Sequence, residues 1–295
     1  MEVRKSKLKQ FIKLNNSFER FVHKIANSFN LTESKSPGNS IRSKTHKNKN
    51  LRYTKNKLEL VNIGLFSHDI MRNQEYLLLK KNLDVFERPI LDLGCGDGQF
   101  ATLLFNKIEA GVDLSEASID AARNLNIYDN LNVADCTKNI PYPDSHFKTI
   151  YSNSVLEHIP DIEGTVREVS RTLESGGNFI ITTYGDNFLK ELSDAVGNNI
   201  AESYNSKITH VSLYSIPYWS DLLIKHDLKI SKAIPYLSID ALVQMVIFSS
   251  SIFKIPQILF PKLFWNLTKN KLYNIVQPSL ELESGLGFLL IATKK

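Results

Sequence analysis

Three glycines at alternate positions, Gly94, Gly96 and Gly98, follow directly on the apolar run Ile90-Leu91-Asp92-Leu93 and lead into the helical stretch 101–105. A β-carbon at such positions either forbids the dihedrals of a sharp turn or fills space that a ligand needs. Taken alone, the cluster reads equally as a plain tight turn. The next apolar strand ends in Gly111-Val112-Asp113-Leu114, which sets Asp113 about 20 residues beyond the turn, where a nucleotide fold places a carboxylate on ribose hydroxyls. A dinucleotide would bring its pyrophosphate to the helix N-terminus. Asp97 inside the turn and Asp92 just before it would repel that diphosphate, whereas both suit a cationic sulfonium and an ammonium group.

Further candidates lie at the ends of later strands. Asp135-Cys136 follows the run 131–134, and Asn153 closes the run 147–152 within Ser152-Asn153-Ser154-Val155-Leu156-Glu157-His158-Ile159. Asp135 is either a ligand contact or a cap on the turn before Pro141, and Cys136 either touches a ligand or packs. His158 is a general base for an oxygen or nitrogen acceptor, or a structural histidine at a helix end. Glu157 and Asp161 start or cap the next helix. Tyr142, Tyr151, Tyr184, Tyr214 and Trp219 shape an acceptor pocket or pack in the core and rim. The two cysteines, Cys95 and Cys136, form no disulfide framework, and the His/Cys scatter has no structural-zinc spacing, so reduced thiols and no metal site are expected.

These residues need a parallel sheet to bring them together. Short apolar runs at 90–93, 111–114, 131–134, 147–152 and 178–183 are separated by stretches long enough for crossovers, a βαβ pattern. The clearest crossover helix spans Asp161 to Leu173, with Ile162, Val166, Val169 and Leu173 on one face. Another starts near Ser215, with Pro217 in its first turn and Trp219, Leu222 and Leu223 turned inward. A helix over 70–86 precedes the first core strand.

In order and spacing these motifs resemble the class I S-adenosylmethionine-dependent methyltransferases, in particular their small-molecule and lipid-type (methyltransferase type 11-like) subgroup. The resemblance runs from about Glu75 to Thr183 and continues more weakly through 202–230 and 288–294. It implies a Rossmann-like α/β fold: a mostly parallel seven-stranded sheet, helices on both faces and an antiparallel last strand. It assigns S-adenosyl-L-methionine as cofactor, held by Asp92, Gly94, Cys95, Gly96, Gly98, Asp113, Leu114, Asp135, Cys136 and Asn153. In this assignment Asp135-Cys136 lies at the adenine and Asn153 beside the methyl group. The implied reaction is direct displacement onto a small-molecule or lipid-like acceptor, with His158 as the candidate catalytic base. An NAD(P)-dependent oxidoreductase shares the glycine turn and the acid after the second strand, but not the acidic turn.

Charge divides the chain. Residues 1–60 hold fifteen Lys or Arg against four Asp or Glu, while the whole chain has a formal net charge of +5, so the remainder is mildly acidic. Attraction to anionic lipid or to nucleic acid therefore belongs to the N-terminal tract, which also frames an RNA methyltransferase as an alternative. Apolar residues in 6–28 fit an amphipathic helix, and 32–50 read as a linker. No secretory signal is read there, and a cytoplasmic protein is expected, peripherally membrane-associated where the apolar segments meet lipid. The expected division is an N-terminal extension over 1–57, a core over 58–236, an apolar helical insertion over 237–284 and a last strand with tail over 285–295. In the insertion a helix is expected over 241–253 and another from Pro261, and Lys alternates with Phe, Ile and Trp. That pattern suits a lid, a dimer contact or an interfacial element better than a membrane span, which Pro256, Pro261 and the lysines interrupt.

Overall fold

The computed structural model describes residues 51–55, 58–62, 64–249, 257, 261–280 and 282–295. The expected N-terminal helix and linker, and the insertion's residues 250–256 and 258–260, lie outside these. In chain order the elements are β1 (Leu51–Lys55), β2 (Leu58–Asn62), α1 (Phe66–Lys81), β3 (Ile90–Leu93), α2 (Ala101–Leu104), β4 (Ile108–Asp113), α3 (Glu116–Arg123), β5 (Tyr128–Val133), β6 (Phe147–Asn153) and α4 (Ile162–Thr172). They continue with β7 (Leu173–Tyr184), α5 (Phe188–Val196), α6 (Asn198–Ile208), α7 (Ile216–Lys225), β8 (Leu228–Tyr236), α8 (Ile239–Phe248), α9 (Pro261–Val276) and β9 (Gly287–Lys294).

Seven strands form one sheet in the order β5-β4-β3-β6-β7-β9-β8, and β1 pairs with β2 in a separate two-stranded sheet. The contacts β5–β4, β4–β3, β3–β6 and β6–β7 are parallel, and β9 runs antiparallel to both β7 and β8. This is the Rossmann-like methyltransferase architecture expected above. All four residues of β3 are buried, as a central parallel strand covered on both faces requires. Alternate side chains serve the two faces. Ile90, Tyr151, Ile180 and Leu289 join the core under α1, α5, α6, α8 and α9, while Leu91, Ile150, Phe179 and Leu290 join the core under α4 and α7.

Local chemistry fixes the helix ends. Asp161 caps α4 by accepting from Gly164 N at 2.9 Å, and Ser215 caps α7, which carries Pro217 in its first turn. Helix α1 starts and ends earlier than the sequence suggests. Asn82 donates from Nδ2 to Leu78 O at 2.7 Å and accepts from Lys232 Nζ at 2.7 Å, and the chain leaves α1 there for a single 3₁₀ turn at Leu83–Val85. In the insertion, α8 begins at Ile239 behind a Ser238 cap and ends at Phe248, short of the expected span. Helices α8 and α9 lie on α1: Phe66 meets Phe248 at 4.5 Å and Phe264 at 5.9 Å between ring centroids. No helix of the described residues is long and apolar enough to cross a membrane.

The chain proceeds outward from β3 through β4 to β5, then returns to the opposite side of β3 at β6. The resulting crevice at the carboxyl ends of β3 and β6 is the topological switch point where open α/β sheets bind ligands.

Candidate functional site

The glycine turn stands at that crevice. Gly94, Gly96 and Gly98 have φ of 76°, 55° and 74°, the left-handed region that side chains avoid. Gly94 N and Cys95 N both donate to Val112 O, at 2.8 and 2.9 Å, which ties the turn to β4. Gly96 N donates to Asp113 Oδ2 at 2.9 Å, and Ser115 N donates to Asp113 Oδ1 at 2.8 Å. One carboxylate thus braces the glycine turn and the loop entering α3. Beside it, Leu114 is 72% exposed, an apolar side chain left open at the rim.

Beneath the turn, Asp92 is buried and accepts from Tyr128 Oη and Tyr151 Oη, each at 2.6 Å. Burial pushes its carboxyl up to about 6; the two phenol hydrogen bonds pull it down, and nearby Asp113 adds to the rise. Asp92 therefore changes charge within an accessible range. A cationic ligand favours the ionised form, so affinity for the S-adenosylmethionine implied by the resemblance should be flat above pH 7. Below pH 6 it should fall by up to about tenfold per pH unit. Titration calorimetry from pH 5 to 8 on the wild type and on Asp92→Asn checks this, since the variant should bind weakly with no such slope. For stability the sign is opposite. The folded state holds the proton more tightly than the unfolded one, so this group's contribution declines as pH rises from about 3.8 to about 6.

A cavity of about 310 Å³ opens over these groups, lined by Asp92, Gly94, Cys95, Asp97, Gln99, Phe100, Tyr151 and Asn153 from the sheet side and by Arg72 from α1. Arg72 pairs with buried Glu75 at 2.8 Å. Glu75 also accepts from Asn153 Nδ2 at 3.0 Å, from Tyr236 Oη at 3.2 Å and from Ser154 Oγ. Asn153 Oδ1 accepts from Thr182 Oγ1 at 2.8 Å. Ser154 holds φ of 53°, and its N–H is bonded to Thr182, so the turn after β6 is fixed by polar contacts. Asn153 therefore faces the cavity as part of a hydrogen-bonded wall.

The sequence did not indicate Arg72, Glu75, Tyr128 or Tyr236. An Arg–Glu pair three apart on a helix is ordinary surface patterning, and no periodicity marks it as buried. Tyr128 opens an edge strand whose sequence, Tyr-Asp-Asn-Leu-Asn-Val, looks mostly polar.

Asp135 stands beyond β5, two strands from the cavity, and accepts from Thr137 N and Oγ1 at 3.1 and 2.7 Å while pairing with Lys138 at 2.9 Å. The Lys138 and Thr137 contacts hold it down near 2. Cys136 lies 3.8 Å from Thr165 Oγ1, and burial raises its thiol, as it does that of Cys95. Both cysteines are free. His158 is exposed and does not line the cavity; its Nδ1 lies 3.3 Å from Thr209 O. The aromatic set divides: Tyr151 serves Asp92, Tyr184 stacks on His210 at 4.8 Å, and Tyr142, Tyr214 and Trp219 pack with the core on the α4/α7 face.

Residues 91–181 match the family model described as a methyltransferase domain. The chain is 28% identical over 137 residues to the ubiquinone biosynthesis O-methyltransferase of Coxiella burnetii, covering 45% of this chain and 58% of that protein. It is 36% identical over 101 residues to the sarcosine/dimethylglycine N-methyltransferase of Halorhodospira halochloris, covering 32% and 36%. The match thus spans little more than half the length of the first relative and about a third of the second. Among solved structures, a SAM-dependent methyltransferase of Thermotoga maritima, a possible histamine N-methyltransferase, shares the fold with a TM-score of 0.51 at 19% identity, over 77% of this chain and 92% of that one.

Proposed function

We propose that this chain, whose residues 91–181 match a methyltransferase-domain model, is a class I S-adenosylmethionine-dependent methyltransferase that methylates a small-molecule or lipid-like acceptor by direct displacement. The observation that carries this reading is the acidic cavity at the switch point, where the glycine turn, Asp92, Asp97 and Asn153 converge. Its residues fit the family's cofactor. Space over Gly96 is open, with no atom within 4 Å of where a side chain would begin, so the backbone can meet a ligand there. Asp92 and Asp97 complement an ammonium and a sulfonium, Asp113 borders the turn where a ribose would rest, and exposed Leu114 offers an apolar surface to a purine.

When bound, the cofactor supplies an electrophilic methyl group on sulfur. This chain's residues then orient and exclude water. Arg72, Glu75 and Asn153 hold one wall rigid, and α8 and α9, packed on α1, act as a cover on that side. The cover supports a lipid-like acceptor. On α9, Leu263 and Leu267 are 58% and 73% exposed beside Lys262, whereas Trp265 is 4% exposed and belongs to the core. An interfacial contact therefore runs through the two leucines. The Coxiella and Halorhodospira relatives act at oxygen and at nitrogen respectively, so the acceptor atom is a separate question.

The test is binding and turnover by the full chain. Saturable S-adenosylmethionine binding, with no comparable binding of nicotinamide dinucleotide, is expected. S-adenosylhomocysteine release should rise with a hydroxylated aromatic carrying an apolar tail. Release that rises only with small amines would replace the lipid-like acceptor, and preference for the dinucleotide would overturn the reading. Sedimentation with anionic liposomes, lost in Leu263→Ser/Leu267→Ser, would place this face of the protein at a membrane surface, where a lipid-like acceptor would be met.

A further inference from the structure

Outside the cavity, the described residues bring Glu157, His158 and His210 together at the carboxyl rim of the sheet, with one ligand-capable atom from each within 4.8 Å of the others. We infer that these three side chains form a binding site for a first-row divalent metal ion of the zinc and cobalt class.

The backbone builds the cluster. Glu157 and His158 sit in the 3₁₀ turn Leu156–His158 that follows β6. Val211 N and Ser212 N both donate to Glu157 O, at 2.9 and 3.0 Å, which pins the segment after α6 against that turn and delivers His210 to Glu157. Tyr184 stacks on the His210 ring at 4.8 Å and Phe188 meets it edge-on at 5.2 Å, fixing its plane.

Two buried polar atoms in the cluster lack partners among the described residues. Glu157 is fully buried, and its Oε1 accepts no hydrogen bond, while Oε2 has only Thr183 Oγ1 at 3.3 Å; His210 Nδ1 is likewise buried without a partner. Leaving a carboxylate oxygen and an imidazole nitrogen unpaired in a core is costly. The nearby cation does not answer for them, because Arg72 is bonded to Glu75. A metal ion satisfies both atoms at once. Two imidazoles with one carboxylate select borderline ions over calcium and magnesium, which prefer all-oxygen sets. Metal–ligand bonds of about 2 Å require ligand atoms some 3 to 4 Å apart, so the three atoms, which lie within 4.8 Å of one another, must draw together on binding. His158 is exposed, giving the ion an entry path and leaving its remaining positions to water.

The inference does not depend on methyl transfer, because its readout is metal binding. The full chain, stripped with chelator, is titrated with Co²⁺ and followed by its visible ligand-field bands, then with Zn²⁺ in competition. One Co²⁺ per chain, displaced by Zn²⁺ and unaffected by excess Mg²⁺, is expected. His210→Ala and Glu157→Gln should each weaken binding at least about tenfold, while His146→Ala, at a separate aromatic stack, should not. Because Glu157 is buried, His158→Ala at the exposed ligand is the variant that separates lost binding from lost folding, with circular dichroism as control. Absence of stoichiometric Co²⁺ binding by the wild type, or binding retained in a folded His158→Ala/His210→Ala double variant, overturns the site.

Discussion

Replacing Asp113 by alanine is expected to weaken S-adenosylmethionine binding about a hundredfold while leaving the chain folded. Two roles converge on this side chain. Its oxygens accept from Gly96 N and Ser115 N, and in the proposed function their remaining lone pairs meet the ribose hydroxyls. Hydrogen bonds to a charged partner contribute about 1.5–3 kcal/mol each. Losing a bidentate ribose contact, partly offset by water, gives a net of about 3 kcal/mol, or about two decades in affinity. Stability should fall less, because the N–H groups released lie at a partly open rim and water can replace the carboxylate. Asp113→Asn sharpens the comparison. Its amide keeps one acceptor but turns a donor toward one of two backbone donors, so it should bind nearly as poorly as alanine. Calorimetric dissociation constants with parallel thermal melts check this. A loss of less than about threefold in Asp113→Ala would mean the carboxylate serves only the loop, and the ribose assignment would fall.

The parts of the molecule legible in the sequence are those where one residue type has one physical use. Central parallel strands are apolar because both faces are covered, so Ile90–Leu93 and Phe147–Asn153 stood out, and glycines at left-handed positions marked the turn between β3 and α2. Caps were equally plain, since Asp161 and Ser215 each precede an apolar periodic stretch. What stayed hidden depends on tertiary burial of polar groups. Glu75 and Glu157 are fully buried carboxylates in segments whose local pattern suits a surface helix and a helix start. Tyr128 reaches Asp92 from an edge strand, a partnership that no spacing rule encodes. His210 meets His158 only because two backbone N–H groups after α6 close on Glu157 O, a contact between chain segments that are distant in sequence. Residues 237–284 stood out as apolar sequence, but which of their side chains turn inward did not. Trp265 turns into the core while Leu263 and Leu267 turn out, and hydrophobicity ranks the three alike.

The turn itself should separate folding from binding within three residues. Gly94→Ala is expected to destabilise the protein by about 2–5 kcal/mol, because two effects add. The left-handed φ of 76° costs an L-residue about 1–2 kcal/mol, and the new β-carbon would stand 2.7 Å from Val155 Cγ2 and nearer still to Cγ1. Val155 cannot rotate away freely, since a β-branched side chain is stiff at χ1, so overpacking contributes a further 1–3 kcal/mol or so. Gly98→Ala meets Tyr128 Cε2 at 2.8 Å at a φ of 74°, and pushing that ring aside would disturb its bond to Asp92. Gly96→Ala differs in kind. Its φ of 55° carries a similar conformational cost, yet nothing lies within 4 Å of the added methyl. It should therefore lose only about 1–2 kcal/mol of stability and remain folded, while the methyl occupies space proposed for the cofactor and reduces affinity at least about tenfold. Chemical denaturation gives the stability order, and cofactor titration of folded Gly96→Ala gives the binding effect. Unchanged affinity in Gly96→Ala would show that the ligand does not approach this backbone, and the cavity would need another occupant.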